Sequence, residues 1–271
     1  MCAGMKLSVI IPVYNEQDTL VQIVRRARMW ASRVSMEGEP GDGSTACEGE
    51  IVIVDDGSTD GTRAILADIR DEDGTIVVSH DRNRGKGAAV RTGIRYTSGD
   101  ILLIQDADLE YDPADYPRLL EPILRGDAQV VYGSRFLRGR PAGMSPLNAL
   151  GNRFLTAVAN RLHRCSLTDM ETCYKVFTRE VATRLALHSA GWDFDPEVTT
   201  QILGLGYAIH EIPISYHGRT LREGKKIRWW HALSALGTLI RYWLSRSVES
   251  KARPLTPARG IAMPNQALTR V

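Results

Sequence analysis

The chain lacks the long apolar runs that would carry it across a membrane. None approaches the ~18 residues a spanning helix needs, so any membrane contact is expected at the surface. The start of the sequence also lacks a charged segment followed by an apolar run and a cleavage site, so no secretory leader is expected. Cysteine is sparse. Cys2, Cys47, Cys165 and Cys173 include no CxxC pair and no histidine at metal-ligand spacing, which argues against a zinc site or a disulfide framework and fits a reducing compartment. An excess of one charge is missing too: 34 Lys+Arg stand against 32 Asp+Glu, a net +2, which speaks against nucleic acid as a partner. Where a dinucleotide-binding dehydrogenase would carry GxGxxG, the first strand instead runs into Pro12-Val13-Tyr14-Asn15-Glu16, so that fingerprint is absent. The six histidines are scattered and read as surface or packing residues; only His217, beside a basic segment, is of interest.

What is present is a globular composition, 271 residues with 43% hydrophobic, enough for a substantial core. Short β-branched runs at Leu7 to Val13, Ile51 to Val54, Ile76 to Val78, Ile101 to Ile104 and Gln129 to Tyr132 alternate with helix-length segments. That pattern predicts a mainly parallel sheet flanked by helices, an α/β fold. From about Pro141 the pattern changes to helix (Leu147 to Leu162), strand (Tyr174 to Phe177), helix (Glu197 to Gly204) and strand (Ala208 to Tyr216). Residues 1–246 read as one domain, with a nucleotide-binding half at about 6–135 and an acceptor-side half at 136–246; 247–271 reads as a flexible basic tail. Met36 to Glu50, rich in Gly, Glu and Asp, reads as a surface loop. Trp229 to Leu244, with three tryptophans, suits either an interfacial amphipathic helix or a core-packing one.

Chemistry is expected where strands end. Ile51 to Val54 runs into Asp55-Asp56-Gly57-Ser58-Thr59-Asp60-Gly61-Thr62, at the carboxyl end of a parallel strand, where open α/β sheets bind ligands. Carboxylates there can accept hydrogen bonds from a base or ribose, and glycines allow close backbone approach; a capped strand-to-helix turn would explain the Ser, Thr and Gly but not two adjacent acids. The fourth strand runs into Gln105-Asp106-Ala107-Asp108-Leu109-Glu110. Three alternating acids could hold Mg²⁺ or Mn²⁺ with a diphosphate, and a cation would relieve their mutual repulsion.

These elements in this order, with Asn83-Arg84-Gly85-Lys86-Gly87-Ala88-Ala89, resemble the family 2 inverting glycosyltransferases of GT-A fold. Tyr132-Gly133-Ser134-Arg135-Phe136, Asp169-Met170-Glu171-Thr172-Cys173-Tyr174-Lys175-Val176-Phe177 and Gly224-Lys225-Lys226 narrow the resemblance to the polyprenyl-phosphate sugar synthases, including the dolichyl-phosphate mannose and glucose synthases. It spans about Leu7 to Trp230.

The resemblance implies a nucleotide held by Pro12, Tyr14, Glu16 and Asp56, and a metal with its diphosphate held by Asp106, Asp108 and Glu110. Asp55 and Lys86, in the same motifs, are assigned to the donor with them. Arg135 matches an arginine that contacts the lipid phosphate, Arg153 falls near a second, and Arg222, Lys225 and Lys226 match a mobile loop over the donor phosphates. Residues expected to act on the reaction itself are Asp108, Arg135, Lys225 and Asp169. Two departures stand out: Glu110 where the mannose synthases often have Gln, and Glu171-Thr172-Cys173-Tyr174-Lys175 where Thr-Ser-Gly-Phe-Arg is usual.

The implied reaction passes a sugar from a UDP- or GDP-sugar to a polyprenyl phosphate at the cytosolic face of a membrane, dependent on Mg²⁺ or Mn²⁺. A phosphate acceptor is already anionic, so no essential general base is expected and Arg135 would orient it. A glycan, diacylglycerol or small hydroxyl acceptor would need a base, for which Asp169 and Glu171 are the candidates. A non-catalytic nucleotide-binding module is a third reading, against which the complete carboxylate set argues.

Overall fold

The structure is a computed structural model that describes residues 5–33, 48–69, 74–141, 143–219, 231–245 and 269–270. Its centre is β1 (Lys6–Val13), in which Leu7, Val9, Ile10 and Ile11 are all fully buried. A strand apolar on both faces needs cover on both. α1 (Leu20–Arg33) supplies part of it through Leu20, Ile23, Val24, Ala27 and Ala31, spaced so that they share one face of the helix.

β1 pairs in parallel with β2 (Glu48–Asp55) on one side and with β4 (Ile101–Ile104) on the other. β3 (Thr75–Ser79) extends the sheet beyond β2. α2 (Thr62–Ile69) and α3 (Lys86–Tyr96) are the crossover helices. α3 lies close on the sheet because Gly93 has no side chain: a Cβ there would come within 2.4 Å of the Ile10 Cγ2 methyl. Since β2 and β4 flank β1 on opposite sides, the strand order reverses there, and a crevice opens beyond the carboxyl ends of β1, β2 and β4.

The second half continues the same sheet. β5 (Val130–Ser134) follows α4 (Tyr116–Leu124), and the antiparallel β6 (Lys175–Thr178) lies between β4 and β5. β7 (His210–Pro213) pairs in parallel with β5. The order is β7-β5-β6-β4-β1-β2-β3-β8, where β8 is the two-residue Thr269–Arg270. α6 (Arg179–Arg184) and α7 (Phe194–Gly204) follow β6. A mainly parallel sheet flanked by helices is the expected architecture.

Several boundaries move. β2 begins at Glu48, inside the segment read as a loop to Glu50, and residues 34–47 lie outside the described residues. β7 is shorter than Ala208 to Tyr216: Pro213 cannot donate to the ladder, and Tyr216 makes only an isolated bridge to Tyr111. α7 starts at Phe194 rather than Glu197, with Asp195 and Glu197 both in its first turn, where carboxylates complement the helix dipole.

α5 (Pro146–His163) is the longest helix described. It is capped by Ser145, whose Oγ accepts from the Asn148 N–H at 3.2 Å, and begins with Pro146, whose missing donor costs nothing there. α8 (His231–Ser245) packs against it, with Ala235 and Leu239 buried beside Leu155, Ala159 and Met170. Part of the helix therefore packs in the core, while Leu233, Ile240, Trp243 and Leu244 on the same helix stay exposed. Trp229 and Trp230, and the tail apart from β8, lie outside the described residues.

Candidate active site

The crevice is a cleft of about 850 Å³ floored by strand ends. Pro12, Tyr14 and Glu16 reach it from β1, Asp56 from β2, Lys86 from the start of α3, Asp106, Asp108 and Glu110 from β4, and Arg135 from β5. Met144 and the apolar stripe Leu147, Leu150, Phe154 and Leu155 of α5 form its other wall.

The turns after β1 and β2 are knitted together by small polar groups. Asn15, in the left-handed region at φ 51°, donates its backbone N–H to Ser58 Oγ at 3.0 Å and accepts from the Thr59 N–H at 2.8 Å. The Glu16 N–H reaches Thr62 Oγ1 at 3.0 Å. The Ser and Thr of the Asp-Gly-Ser-Thr segment therefore brace one turn against the other.

The two adjacent acids of that segment part company. Asp55 is fully buried, accepts from the Ser58 N–H at 2.9 Å and from Arg63 Nε at 3.1 Å, and does not line the cleft. Its expected contact with the donor is corrected by the alternation of a strand, which turns neighbouring side chains to opposite faces. Asp56 does line the cleft. Its Oδ1 accepts from His80 Nδ1 at 2.7 Å and the Arg84 N–H at 2.9 Å, and its Oδ2 from the Gly85 N–H at 2.7 Å.

Lys86, the first residue of α3, pairs with Asp106 at 2.7 Å and lies 5.9 Å above the Trp192 ring. Burial works against its ammonium, but the charge of Asp106, with smaller contributions from Cys173 and Asp195, outweighs it and holds the group firmly protonated. The same pair acts on Asp106: burial disfavours the carboxylate, yet Lys86 keeps its pKa below the ordinary value. Gly85 lets the chain at 190–191, next to Trp192, lie against the start of α3, because at φ 93° its missing Cβ would stand 2.3 Å from the Ala190 carbonyl oxygen.

The three alternating acids do not converge on one point. Asp108 Oδ2 lies 3.4 Å from Arg219, which also pairs with Glu16 at 3.0 Å. Glu110 is buried and tied elsewhere, accepting from Tyr216 Oη at 2.7 Å and from the Arg219 N–H at 2.8 Å. Among the described residues no group of three His, Cys, Asp or Glu is placed to hold a metal ion. All three acids line the cleft, but Glu110 is engaged in tethering the chain at 216–219, whereas Asp106 and Asp108 face the cations Lys86 and Arg219.

Arg135 is closed on Asp169 by two nitrogens, Nε at 2.7 Å and Nη2 at 2.8 Å, and lies 5.3 Å from the Tyr216 ring centre. Asp169 accepts in addition from the Arg135 N–H and from Asn152 Nδ2, both at 3.0 Å, and is fully buried. It does not line the cleft, so its expected place among the reacting groups is corrected to one behind Arg135. Arg153 points away as well; it is exposed on α5 while its neighbours Asn152 and Phe154 line the cleft. Arg222, Lys225 and Lys226 lie outside the described residues. His217 is exposed and, among the described residues, donates its backbone N–H to the Glu110 carbonyl.

Glu171 faces the cleft with Oε1 buried and without a hydrogen bond among the described residues. Burial, reinforced by the charge of Asp195, pushes its pKa up to about 8 against the pull of Lys175 and Arg135. Burial thus favours its neutral form near neutral pH, while both oxygens of Asp169 are taken up by Arg135. Lys175 is fully buried beneath this loop, paired with Asp195 at 2.6 Å and donating to the carbonyls of Met170, at 3.1 Å, and Thr172.

Four cleft features escaped the sequence reading: His80 behind Asp56, Arg219, Trp192 and the apolar stripe of α5. His80 had one legible signal, its place at the end of β3 beside the acids of β2. Arg219 had another, since it opens the basic segment in which later cations were chosen.

Comparison with known proteins gives the family and the fold. Residues 8–185 match the family model described as glycosyl transferase family 2. A low-salt glycan biosynthesis hexosyltransferase, Agl6, of Haloferax volcanii is 32% identical over 79% of this chain and 48% of its own. An undecaprenyl-phosphate 4-deoxy-4-formamido-L-arabinose transferase of Pseudomonas fluorescens is 30% identical over 81% of this chain and 59% of its own. The chain thus spans about half to three fifths of the length of these relatives. Among solved structures, the glucosyl-3-phosphoglycerate synthase of Mycobacterium tuberculosis in complex with Mn²⁺, UDP and glucosyl-3-phosphoglycerate superimposes with a TM-score of 0.62 at 25% identity, covering 88% of this chain and 80% of that one.

Proposed function

The chain belongs to glycosyl transferase family 2, and we propose that it catalyses metal-dependent inverting transfer of a hexose or related sugar from a UDP- or GDP-sugar to a polyprenyl phosphate at the cytosolic face of a membrane. The observation that carries this reading is the two-sided cleft. Cations and carboxylates from the strand ends line one wall, and an exposed apolar stripe, Leu147, Leu150 and Phe154, lines the other. A lipid phosphate has the same two-sided chemistry. The named activity of the Pseudomonas relative on undecaprenyl phosphate supports it.

Pro12, Tyr14, Glu16 and Asp56 would take the nucleoside. With three donors already on its oxygens, Asp56 is an acceptor and suits a base that presents an N–H, as uracil and guanine both do. Asp106 and Asp108 would hold Mg²⁺ or Mn²⁺. Two carboxylates fit a hard cation whose other ligands are diphosphate oxygens and water, and the metal would supply charge to stabilise the departing diphosphate. Lys86 and Arg219 add cationic charge on the same side, and Lys225, Lys226 and Arg222 are proposed to close over it.

In the transfer, an acceptor oxygen attacks the anomeric carbon while the bond from that carbon to the diphosphate oxygen breaks, inverting the centre. Arg135, oriented by Asp169, would present its remaining edge to the acceptor phosphate. A phosphate acceptor needs no proton removed, which suits a cleft whose Glu171 is itself protonated at neutral pH. A neutral carboxyl can also donate to an anion, whereas a carboxylate would repel it. No described helix is long and apolar enough to cross a membrane, and the exposed Leu233, Ile240, Trp243 and Leu244 of α8 favour contact at its surface.

A small phosphorylated acceptor is the second reading. It is favoured by the Mycobacterium tuberculosis synthase, whose structure was also determined with Mn²⁺, UDP-glucose and phosphoglyceric acid. The deciding experiment offers radiolabelled UDP-glucose, UDP-GlcNAc, UDP-galactose and GDP-mannose with polyprenyl phosphate or 3-phosphoglycerate, with Mn²⁺ or Mg²⁺, and with EDTA. Metal-dependent label in the lipid phase supports the first reading; label only in the soluble acceptor supports the second. Absence of transfer and of nucleotide binding would overturn both.

A further inference from the structure

His80 is the least exposed of the groups that touch Asp56, with its side chain fully buried at the end of β3. Its backbone N–H is fixed to the Asp55 carbonyl at 2.8 Å, its Nδ1 lies 2.7 Å from Asp56 Oδ1, and its Nε2 lies 2.9 Å from Thr92 Oγ1 on α3. Asp56 already accepts two backbone N–H groups, from Arg84 and Gly85, so it acts as an acceptor and His80 Nδ1 must carry a proton. A neutral ring protonated at Nδ1 satisfies both contacts, with Thr92 donating its hydroxyl proton to Nε2.

The two carboxylate oxygens of Asp56 offer about four acceptor positions, and three are filled. The plane of the carboxylate, and with it the direction of the fourth, is set by these three donors. Two belong to the backbone of the 84–85 loop, next to the exposed pair Arg84 and Asp81. The third, His80, is clamped between β2 and α3. We propose that His80 is a positioning residue for the donor: through Nδ1 it fixes the Asp56 carboxylate so that its remaining acceptor position meets the base of the nucleotide. This rests on the reading of the cleft as a nucleotide-sugar site.

The paired variants His80→Asn and His80→Gln separate positioning from packing. Asn can place an amide donor near the Nδ1 position and keep the bond to Asp56, whereas Gln reaches the Nε2 position, keeps Thr92 and loses Asp56. Thr92→Val removes the distal bond only. Binding of UDP and GDP with Mn²⁺ is measured by calorimetry on the full chain, beside the melting temperature of each variant.

The expected result is an affinity for UDP or GDP about tenfold weaker in His80→Gln, with His80→Asn and Thr92→Val close to the parent whatever their melting temperatures. If nucleotide affinity instead follows melting temperature across the three variants, or is unchanged in His80→Gln, His80 only packs and the proposal is overturned. A parent protein that binds neither nucleotide overturns the donor-site reading as well, which distinguishes that failure from this one.

Discussion

Arg135 and Asp169 meet through two parallel contacts, Nε to Oδ2 at 2.7 Å and Nη2 to Oδ1 at 2.8 Å, from opposite sides of the wall that divides the cleft from the core. The arginine lines the cleft and the aspartate is fully buried. A fork-to-fork pair of this kind fixes both position and plane of the guanidinium. Removing the charge of Asp169 leaves a largely buried cation without its counter-ion, a change that costs about 3 kcal/mol. Asp169→Asn is therefore expected to lower the unfolding free energy by about that amount in urea titrations, to raise the KM for the phosphate acceptor, and to leave UDP binding intact. A general base would behave otherwise: turnover would vanish with no rise in acceptor KM.

Glu171 makes stability depend on pH in a direction that can be worked out. Its pKa rises from 4.5 to about 8 on folding because burial, with Asp195 beside it, disfavours the carboxylate. Below pH 4.5 it is protonated in both folded and unfolded chains and contributes nothing to the balance. Between 4.5 and 8 the unfolded chain releases the proton while the folded one keeps it, so this group's contribution falls as pH rises, and it levels off above 8. Glu171→Gln mimics the neutral acid and lacks that slope. Its melting temperature should match the parent near pH 4 and exceed it by a growing margin up to pH 8. A constant difference across the range would mean that Glu171 is not held protonated.

The acids after β4 should separate by function although they alternate in sequence. Asp108 faces the cleft beside Arg219, and its replacement by Ala is expected to lower sugar transfer about a hundredfold or more with folding retained, as EDTA should in the parent. Glu110 instead holds Tyr216 and the Arg219 N–H, so Glu110→Ala should release the chain at 216–219 and raise the KM for the nucleotide-sugar more than it lowers kcat. Steady-state kinetics with varied donor check both. Equal loss of kcat in the two variants would restore Glu110 to the metal.

The sequence was most legible where one short segment carries both the element and its chemistry. The β-branched runs announced the strands, and the motifs at their ends placed Asp56, Lys86, Asp106 and Asp108 on one cleft. What stayed hidden depends on which way a side chain turns or on a partner distant in the chain. Asp55 and Asp56 are adjacent, and only the pleat decides that Asp56 faces the ligand. Arg153 and Asn152 are one helical step apart, about 100°, enough to put one in solvent and the other on Asp169. The tether from Glu110 to Arg219 crosses 109 positions, and the bond from His80 to Asp56 joins two strands. Periodicity and local motifs carry no information about such closures.

The apolar wall of the cleft gives the sharpest test of the acceptor. Leu147 and Leu150 are each 66% exposed and Phe154 55%, at spacings that align them along one face of α5. Because they are exposed, replacing all three by Ser should leave the melting temperature nearly unchanged, as surface substitutions do. Each would gain roughly 1.5–3 kcal/mol from full burial against a hydrocarbon chain, so losing even part of that across three positions should raise the KM for a long-chain polyprenyl phosphate tenfold or more. Nucleotide binding and transfer to a short, water-soluble phosphate acceptor should hold at the parent level, since Asp56, Lys86, Arg135 and the paired carboxylates are untouched. The two acceptors are compared in the same assay, with UDP calorimetry alongside. If activity on both falls together, the stripe shapes the cleft instead of guiding a lipid; if neither changes, the chain of the acceptor runs elsewhere, and the exposed face of α8 becomes the next surface to alter.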